Sequence, residues 1–598
     1  MTPYIAPQKD MQFVLRELAD LAAITQLPGY EEASTELVDA VLEGAATFAG
    51  EIWGPLNQVG DQQGLKRHDD GRVTTPEGFI DAYRQFVESG WNGLRFDPAF
   101  GGQGLPKLVD TAVMEMWNSA NMAFSMAPLL TQGAIEALFL RGSDWQKQRF
   151  LHKMVSGEWT GTMNLTEPQA GSDLGLIRSK ATPQGDHYLI QGQKIFISFG
   201  EHDLTDNIVH LVLARTPTAP EGVKGISLFV VPKFLVNDDG SLGARNDVRC
   251  VSIEHKMGIH ASPTAVLAFG DGPGAIGYLI GEENRGLEYM FIMMNEARFG
   301  VGVQGLGVAE RAYQLALANA KERVQGKDAT APKGPSVPII RHPDVRRMLM
   351  SMKSRVEAMR ALAYVVAALF DQAHHAPDEA ARAAAHGGVD VLIPILKGWC
   401  TETGIEVAST GMQIHGGMGF IEETGAAQYL RDARITSIYE GTTGIQANDL
   451  IGRKVLRDGG RSMQALVAQI DAVCAQLDAS GDPQLQAIGA RLRTGSQNVA
   501  DCVRWILATG ARDLNAVLAG AVPFLHLCGV VCGGWQMARA ALVARRKLAA
   551  GEGDQDFLAA KIATARFFAD QDLSRAPGLA EATLHAGAST MALTEDQF

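Results

Sequence analysis

Apolar residues recur at helical spacing through most of the chain and break into short alternating runs over one middle stretch. Met11, Val14, Leu15, Leu18 and Leu21 fall on one face of a 3.6-residue period, and 31–42, 79–89 and 108–116 repeat it. Residues 1–160 therefore read as an N-terminal helical domain with a lead segment. From 161 to 281 the texture changes. Tyr188-Leu189-Ile190-Gln191-Gly192, Lys194-Ile195-Phe196-Ile197-Ser198, the run 207–214 and Ile226-Ser227-Leu228-Phe229-Val230-Val231 are rich in branched and aromatic residues with turns between. That pattern predicts a compact antiparallel β domain. The helical period returns over 282–456, with long amphipathic helices at 290–325 and 342–370, a loop of small residues at 328–338, and two more helices within 392–455. Beyond Arg457-Asp458-Gly459-Gly460, the periods at 463–477, 484–514, 521–550 and 557–568 predict an additional helical domain, 457–598, with no recognisable chemistry. The fold class expected is α+β, ordered helical, β, helical, helical.

Composition narrows the class of protein. The 598 residues are 46% hydrophobic and 20% charged, ordinary for a soluble globular enzyme. A net charge of −14 argues against a nucleic-acid partner, which needs a basic face to displace counterions. An anionic small ligand stays open, because helix N-termini and local Lys/Arg clusters bind phosphate in acidic proteins. The six cysteines lack metal-ligand spacing with histidine and read as small buried residues of a reduced compartment, so no metal is expected. The N-terminus has no basic, apolar leader, and apolar runs such as 361–370 are too short to span a bilayer. A cytoplasmic protein without membrane contact is the expectation.

Candidate chemistry sits in four places. Leu165-Thr166-Glu167-Pro168-Gln169-Ala170-Gly171-Ser172-Asp173 lies where helices give way to strands. Pro168 fixes a turn, Gly171 allows close backbone approach, and Thr166 and Ser172 offer hydroxyls to a polar ring edge or a phosphate. The alternative is a domain-joining turn. On Lys194-Ile195-Phe196-Ile197-Ser198, strand alternation turns Phe196 and Ser198 the same way, either to shield an aromatic ring or as plain β core. Gln413-Ile414-His415-Gly416-Gly417-Met418-Gly419-Phe420 reads as a helix end opening a loop for close ligand contact. It lacks the strand–GxGxxG–helix order of a dinucleotide fold, and His415 reads as structural. Glu440, in Ile438-Tyr439-Glu440-Gly441-Thr442-Thr443, has uncharged neighbours that would strengthen a buried carboxylate as a base. It could equally be an acid at a helix start beside capping hydroxyls.

Taken together, these motifs resemble the acyl-CoA dehydrogenase family over about residues 80–455, in the family's own order. Thr166-Glu167-Pro168-x-Ala170-Gly171-Ser172-Asp173 is similar to its first signature. The Gln413 loop and Ile438-Tyr439-Glu440-Gly441-Thr442 are similar to its second. The length, the lead segment with Asp10-Met11-Gln12-Phe13-Val14-Leu15 and the C-terminal extension resemble a long bacterial subgroup. The resemblance implies a C-terminal four-helix domain and FAD held between that domain and the β domain, reaching a neighbouring subunit of a homodimer or dimer of dimers. Met163, Leu165, Thr166, Ser172, Phe196, Ile197, Ser198, Arg323, Gln413, Gly417 and Thr442 would contact FAD, with Arg323, Gln413 and Gly417 acting across the dimer. Ser172, Arg298, Tyr439 and Gly441 would meet the acyl-CoA, and Glu440 would be the catalytic base. Ala297, which precedes Arg298 where some members keep their base, leaves Glu440 as the matched candidate. Phe196 stands where tryptophan is usual; Gly444 and Pro343 replace glutamines.

The implied reaction removes the α-proton and a β-hydride from an acyl thioester, giving the trans-2-enoyl-CoA, with an electron-transferring flavoprotein as acceptor. The chain length is open, and 3-(methylthio)propanoyl-CoA is one candidate. The rivals are an oxidase passing electrons to oxygen, a nitroalkane oxidase, for which Asp rather than Glu would be the expected base, and a non-enzymatic or DNA-associated flavoprotein, which would need a basic face and is disfavoured by the acidic C-terminal block (Asp471, Asp478, Asp482, Glu552, Asp554, Asp556).

Overall fold

A computed structural model describes residues 2–598, and the backbone divides into two units. One comprises Thr47–Leu105 and Ala120–Gly300. Its centre is an eight-stranded sheet of β1 (Trp159–Asn164), β2 (Lys180–Gln184), β3 (His187–Ser198), β4 (Asn207–Ala214), β5 (Ser227–Pro232), β6 (Val248–Ile253), β7 (Thr264–Phe269) and β8 (Ala275–Leu279). The order is β6-β7-β3-β8-β5-β4-β1, with β2 beside β3. Every pair is antiparallel except β1 with β4, which is parallel, a departure from the purely antiparallel expectation. β3 is one twelve-residue strand rather than two short runs, because Gly192 (φ 148°) lets the backbone change neighbours from β8 to β7 without a turn. Two cores form. One packs Phe150, Leu151, Met154, Trp159, Leu211, Leu228 and Met293 together; the other packs Ile190, Ile197, Phe229, Leu267 and Phe269.

The other unit comprises residues 2–46, Pro106–Ser119 and Val301–Phe598 and is helical; the helices Lys107–Arg141 and Gly286–Glu322 have residues in both units. The helices that matter below, in chain order, begin with α1 (Gln8–Phe13) and α2 (Lys107–Arg141), the latter broken at Asn121 (φ −159°, ψ 89°), whose side chain accepts from Phe124 N and starts the helix afresh. Next come α3 (Gly286–Glu322), α4 (Pro343–His375), α5 (Glu379–His415) and α6 (Thr443–Ile451). Asp378 caps α5 through Ala381 N, closing an antiparallel α4–α5 hairpin. The extension contributes α7 (Arg461–Ala479), α8 (Pro483–Gly510), α9 (Ala521–Ala550), α10 (Gln555–Gln571) and α11 (Ala576–Thr590), with α9 packed on α4 and α5. The stretch 328–338, read as a plain loop, ends in the second strand of a small hairpin, Val324–Lys327 with Ser336–Pro338. The lead is a short helix and a wider turn (Val14–Leu18) rather than one helix, and α11 escaped the periodicity because small residues dominate it.

Candidate active site

In the β unit, one buried carboxylate organises the loop that follows β1. Glu167 is 3% exposed and accepts hydrogen bonds from Lys194 Nζ (2.8 Å), Ser179 Oγ (2.6 Å), Ser179 N (3.1 Å), Arg178 N (2.7 Å) and Gln169 Nε2 (2.7 Å). Burial alone would raise its pKa. The fully buried Lys194 ammonium and the other donors outweigh burial and hold the carboxyl at about 2. Lys194 Nζ also donates to Leu165 O (3.1 Å), and Ile195 N donates to Thr166 O (2.9 Å). The loop is thereby clamped to β3. Sequence reading left Glu167 and Lys194 without a role. The available signal was a lysine inside a strand core, which needs a partner.

That clamp shapes the surface beside it. A bulge falls between Lys194 and Ile197 where β3 faces β7. It resets the alternation, so Lys194 and Ile197 are both buried while Phe196 stands 59% exposed at φ 60°. Phe196 is exposed and Ser198 is half-buried. Ile197, 2% exposed and packed in the core, has only its backbone to offer. The hydroxyls of Thr166, Ser172 and Ser198 make no hydrogen bond within the described residues, and a Cβ built on Gly171 would touch nothing within 4 Å. Met163 is half-buried on β1 and Leu165 is buried. An exposed aromatic ring on strained backbone, and on the loop clamped to its strand hydroxyls without hydrogen bonds and an open glycine, are the groups that suit the flat ring and polar edge of a flavin. Arg298 is 6% exposed, with its guanidinium 5.8 Å from the Phe291 ring centroid.

In the helical unit, Glu440 sits on the turn entering α6, half-buried, at φ 56°, followed by Gly441 at φ 85°. A left-handed non-glycine residue costs about 1–2 kcal/mol and persists where the surroundings fix it. Gln446 Nε2 donates to Glu440 O (3.1 Å) and Gly441 O (3.3 Å), and Lys397 Nζ donates to Gly441 O (2.6 Å). Thr442 Oγ1 caps α6 by accepting from Ile445 N (3.3 Å), and Thr443 Oγ1 donates to Glu402 Oε1 (2.5 Å). Capping of α6 thus belongs to Thr442 and not to Glu440. Tyr439 donates its hydroxyl to Gln304 Oε1, and burial drives its phenol far above the usual range. His415 donates Nδ1–H to Gly411 O (2.8 Å) at the end of α5, a structural bond. Gln413, Gly417 and Arg323 are exposed on this unit, and nothing lies within 4 Å of a Cβ built on Gly417. Lys397 and Glu402 were also missed from sequence, although Lys397 interrupts the apolar run Val391–Cys400.

These features are those of a flavin-dependent dehydrogenase class, and the sequence comparisons agree. Residues 63–158, 162–271 and 284–456 match the N-terminal, middle and C-terminal domains of acyl-CoA dehydrogenase, and 466–594 match an acetyl-CoA dehydrogenase C-terminal-like domain. The chain belongs to the acyl-CoA dehydrogenase family, oxidoreductases acting on CH–CH bonds. It is 52% identical to the 3-methylmercaptopropionyl-CoA dehydrogenase of Ruegeria pomeroyi over 95% of this chain and 96% of that one. It is 37% identical to a butyryl-CoA dehydrogenase of Syntrophomonas wolfei over 100% and 99%. Its fold also matches a Bacillus anthracis acyl-CoA dehydrogenase solved with FAD, at TM-score 0.74 and 22% identity, covering 94% of this chain and 90% of that one.

Proposed function

We propose that this chain is an FAD-dependent dehydrogenase that converts 3-methylmercaptopropionyl-CoA to its trans-2-enoyl thioester, with Glu440 as base. The observation that carries the reading is a carboxylate held on a strained, cross-braced turn while the hydroxyl next to it does the capping. The substrate is suggested by the 52% identical relative.

FAD, when bound, would supply the acceptor for the hydride leaving C3. Phe196, Ser198, Thr166 and Ser172 would hold its ring and ribityl side; Thr442, Gln413, Gly417 and Arg323 would meet the remainder, the last three across a homodimer. Exposed Met418, Phe420 and Ile421 beside Gly417 support such a dimer, since apolar clusters of this kind mark interfaces. The Glu440 backbone N–H polarises the thioester carbonyl and so acidifies C2. The Glu440 carboxylate takes the C2 proton; the C3 hydrogen departs with its electron pair, leaving the C2–C3 double bond. Tyr439, whose hydroxyl bonds Gln304, and Gly441 would line the acyl chain, and Arg298 would meet the acyl-CoA. We place the protein in the cytoplasm, with an electron-transferring flavoprotein as its oxidant.

Glu440→Gln tests the assignment. Stopped-flow bleaching of the bound flavin by 3-methylmercaptopropionyl-CoA is expected to slow by roughly 10²–10⁴-fold, the span of a lost general base. Bleaching at the wild-type rate would remove Glu440 from the mechanism. A graded series of acyl-CoAs, ranked by kcat/KM, checks the substrate.

A further inference from the structure

We infer that Lys397 and Glu402 on α5 are positioning residues that hold the Glu440 turn in its reactive shape, with α9 of the C-terminal extension as their backing. The inference rests on the reading of Glu440 as base and names what aims it.

Two consecutive residues, 440 and 441, have left-handed backbone. Such a turn springs back unless its polar groups are tied. The ties come largely from one helix. Lys397, fully buried, spends an ammonium proton on Gly441 O at 2.6 Å, a charge-assisted bond to the residue after the base. Five residues on, Glu402 accepts the Thr443 hydroxyl at 2.5 Å, fixing the far side of the turn. Gln446 donates to Glu440 O and Gly441 O from within α6.

The aim of these side chains is only as firm as α5 itself, and the extension fixes α5 from behind. A Cβ on Gly398, next to Lys397, would come within 2.6 Å of Leu525 on α9. The Trp399 indole lies across two α9 glycines, 2.2 Å from a Cβ built on Gly529 and 2.6 Å from one on Gly533. Behind Glu402 is a polar cavity of about 20 Å³, lined also by Arg355, Glu406, His526 of α9 and Asp572. The extension thus packs against α5 at Gly398 and Trp399 and, through His526, lines the cavity at Glu402.

The test uses holoenzyme and acetyl-CoA, which has an α-hydrogen to exchange but no β-carbon to oxidise. Deuterium uptake at its methyl group in D2O, read by mass spectrometry, reports the base alone; flavin bleaching by an oxidisable acyl-CoA and the Kd for that substrate are measured beside it. Lys397→Met is expected to slow both exchange and bleaching by roughly 30-fold, since small misplacements of reacting groups cost that order, with substrate Kd and the flavin spectrum near wild type. Lys397→Arg is expected to recover part of the loss. Glu402→Ala should slow exchange, Glu402→Gln should regain most of it because an amide oxygen still accepts, and Glu402→Ala with Thr443→Val should lose less than the two effects multiplied. Wild-type exchange in Lys397→Met, no recovery in Glu402→Gln, or full multiplicativity in the double variant would overturn the inference. If Lys397→Met fails to fold, the Glu402–Thr443 cycle decides alone. Glu440→Gln is the control: if it keeps normal exchange, the base assignment falls first; if it loses exchange while the clamp variants do not, only the clamp falls.

Discussion

Single side chains shape each unit's candidate motifs: Phe196 and Glu167 in the β unit, Glu440 in the helical one. Glu440 and Phe196 both sit at positive φ, where an L residue is strained, and both belong to the candidate flavin motifs. Gly441 permits the first of these turns. A Cβ there would press to 2.8 Å from Gln446 Nε2 and 3.1 Å from Ile445 Cγ2. Gly441→Ala is therefore expected to lower kcat about ten-fold or more, because displacements near 1 Å cost ~10²-fold, while KM changes little; steady-state kinetics checks it. Glu167 makes a pH prediction. Its folded pKa of about 2 lies below its ordinary 4.5, so its contribution to stability is complete above 4.5 and is lost as pH falls toward 2. Chemical denaturation across pH 2–6 should show a steep acid limb that is shallower in Glu167→Gln. Glu167→Ala, which strands a buried Lys194, is expected to cost about 3–5 kcal/mol. The sequence displayed Glu440, Thr166 and Phe196 as motif letters. It could not display the Glu167–Lys194 clamp, because those partners stand 27 residues apart and meet only through the loop-to-strand bonds.

Among the elements, β3 and α5 do the positioning. β3 owes its exposed Phe196 to a bulge, and a bulge is a two-strand event: it exists only once β7 supplies the register that slips. Pattern reading found the strand but not the reset that buries Ile197 beside an exposed Phe196. α5 was legible only in part, because its apolar run gives no sign of which side meets α9 and which meets the Glu440 turn. The glycines Gly529 and Gly533 answer that, as they are small where Trp399 must lie. Gly529→Ala is expected to destabilise the protein by about 1–3 kcal/mol through overpacking, read as a lowered denaturation midpoint at unchanged slope. Apolar length misleads in the same way. The runs of α2 and α9 are long and apolar enough to cross a membrane, contrary to the sequence expectation, yet 83% of each window is buried inside the protein.

For the whole helical unit, a buried ion network joins segments that are hundreds of residues apart. Arg360 on α4, 1% exposed, donates to Glu115 on α2 (2.6 and 2.9 Å), Glu310 on α3 (2.6 Å) and Asp10 on α1 (2.5 Å). Lys561 on α10 pairs with Asp10 and, at 3.0 Å, with Glu357. The lead segment and the extension are thus tied to α4 through shared carboxylates. Arg360→Met would leave buried carboxylates uncompensated and is expected to cost about 3–5 kcal/mol, with limited proteolysis releasing the lead and extension more readily.

The sequence alone determined the order of helical, β, helical and added helical segments, and the residue types at the proposed base and flavin face. Periodicity and local motifs are written within a few residues of each other, so a linear string is enough to carry them. The tertiary structure decided the parallel β1–β4 pair, the Glu167–Lys194 clamp, the bracing of the Glu440 turn by Lys397 and Glu402, and the burial of Arg360. Each of these depends on groups distant in the chain being desolvated together, and their energies exist only once folding has brought them into contact.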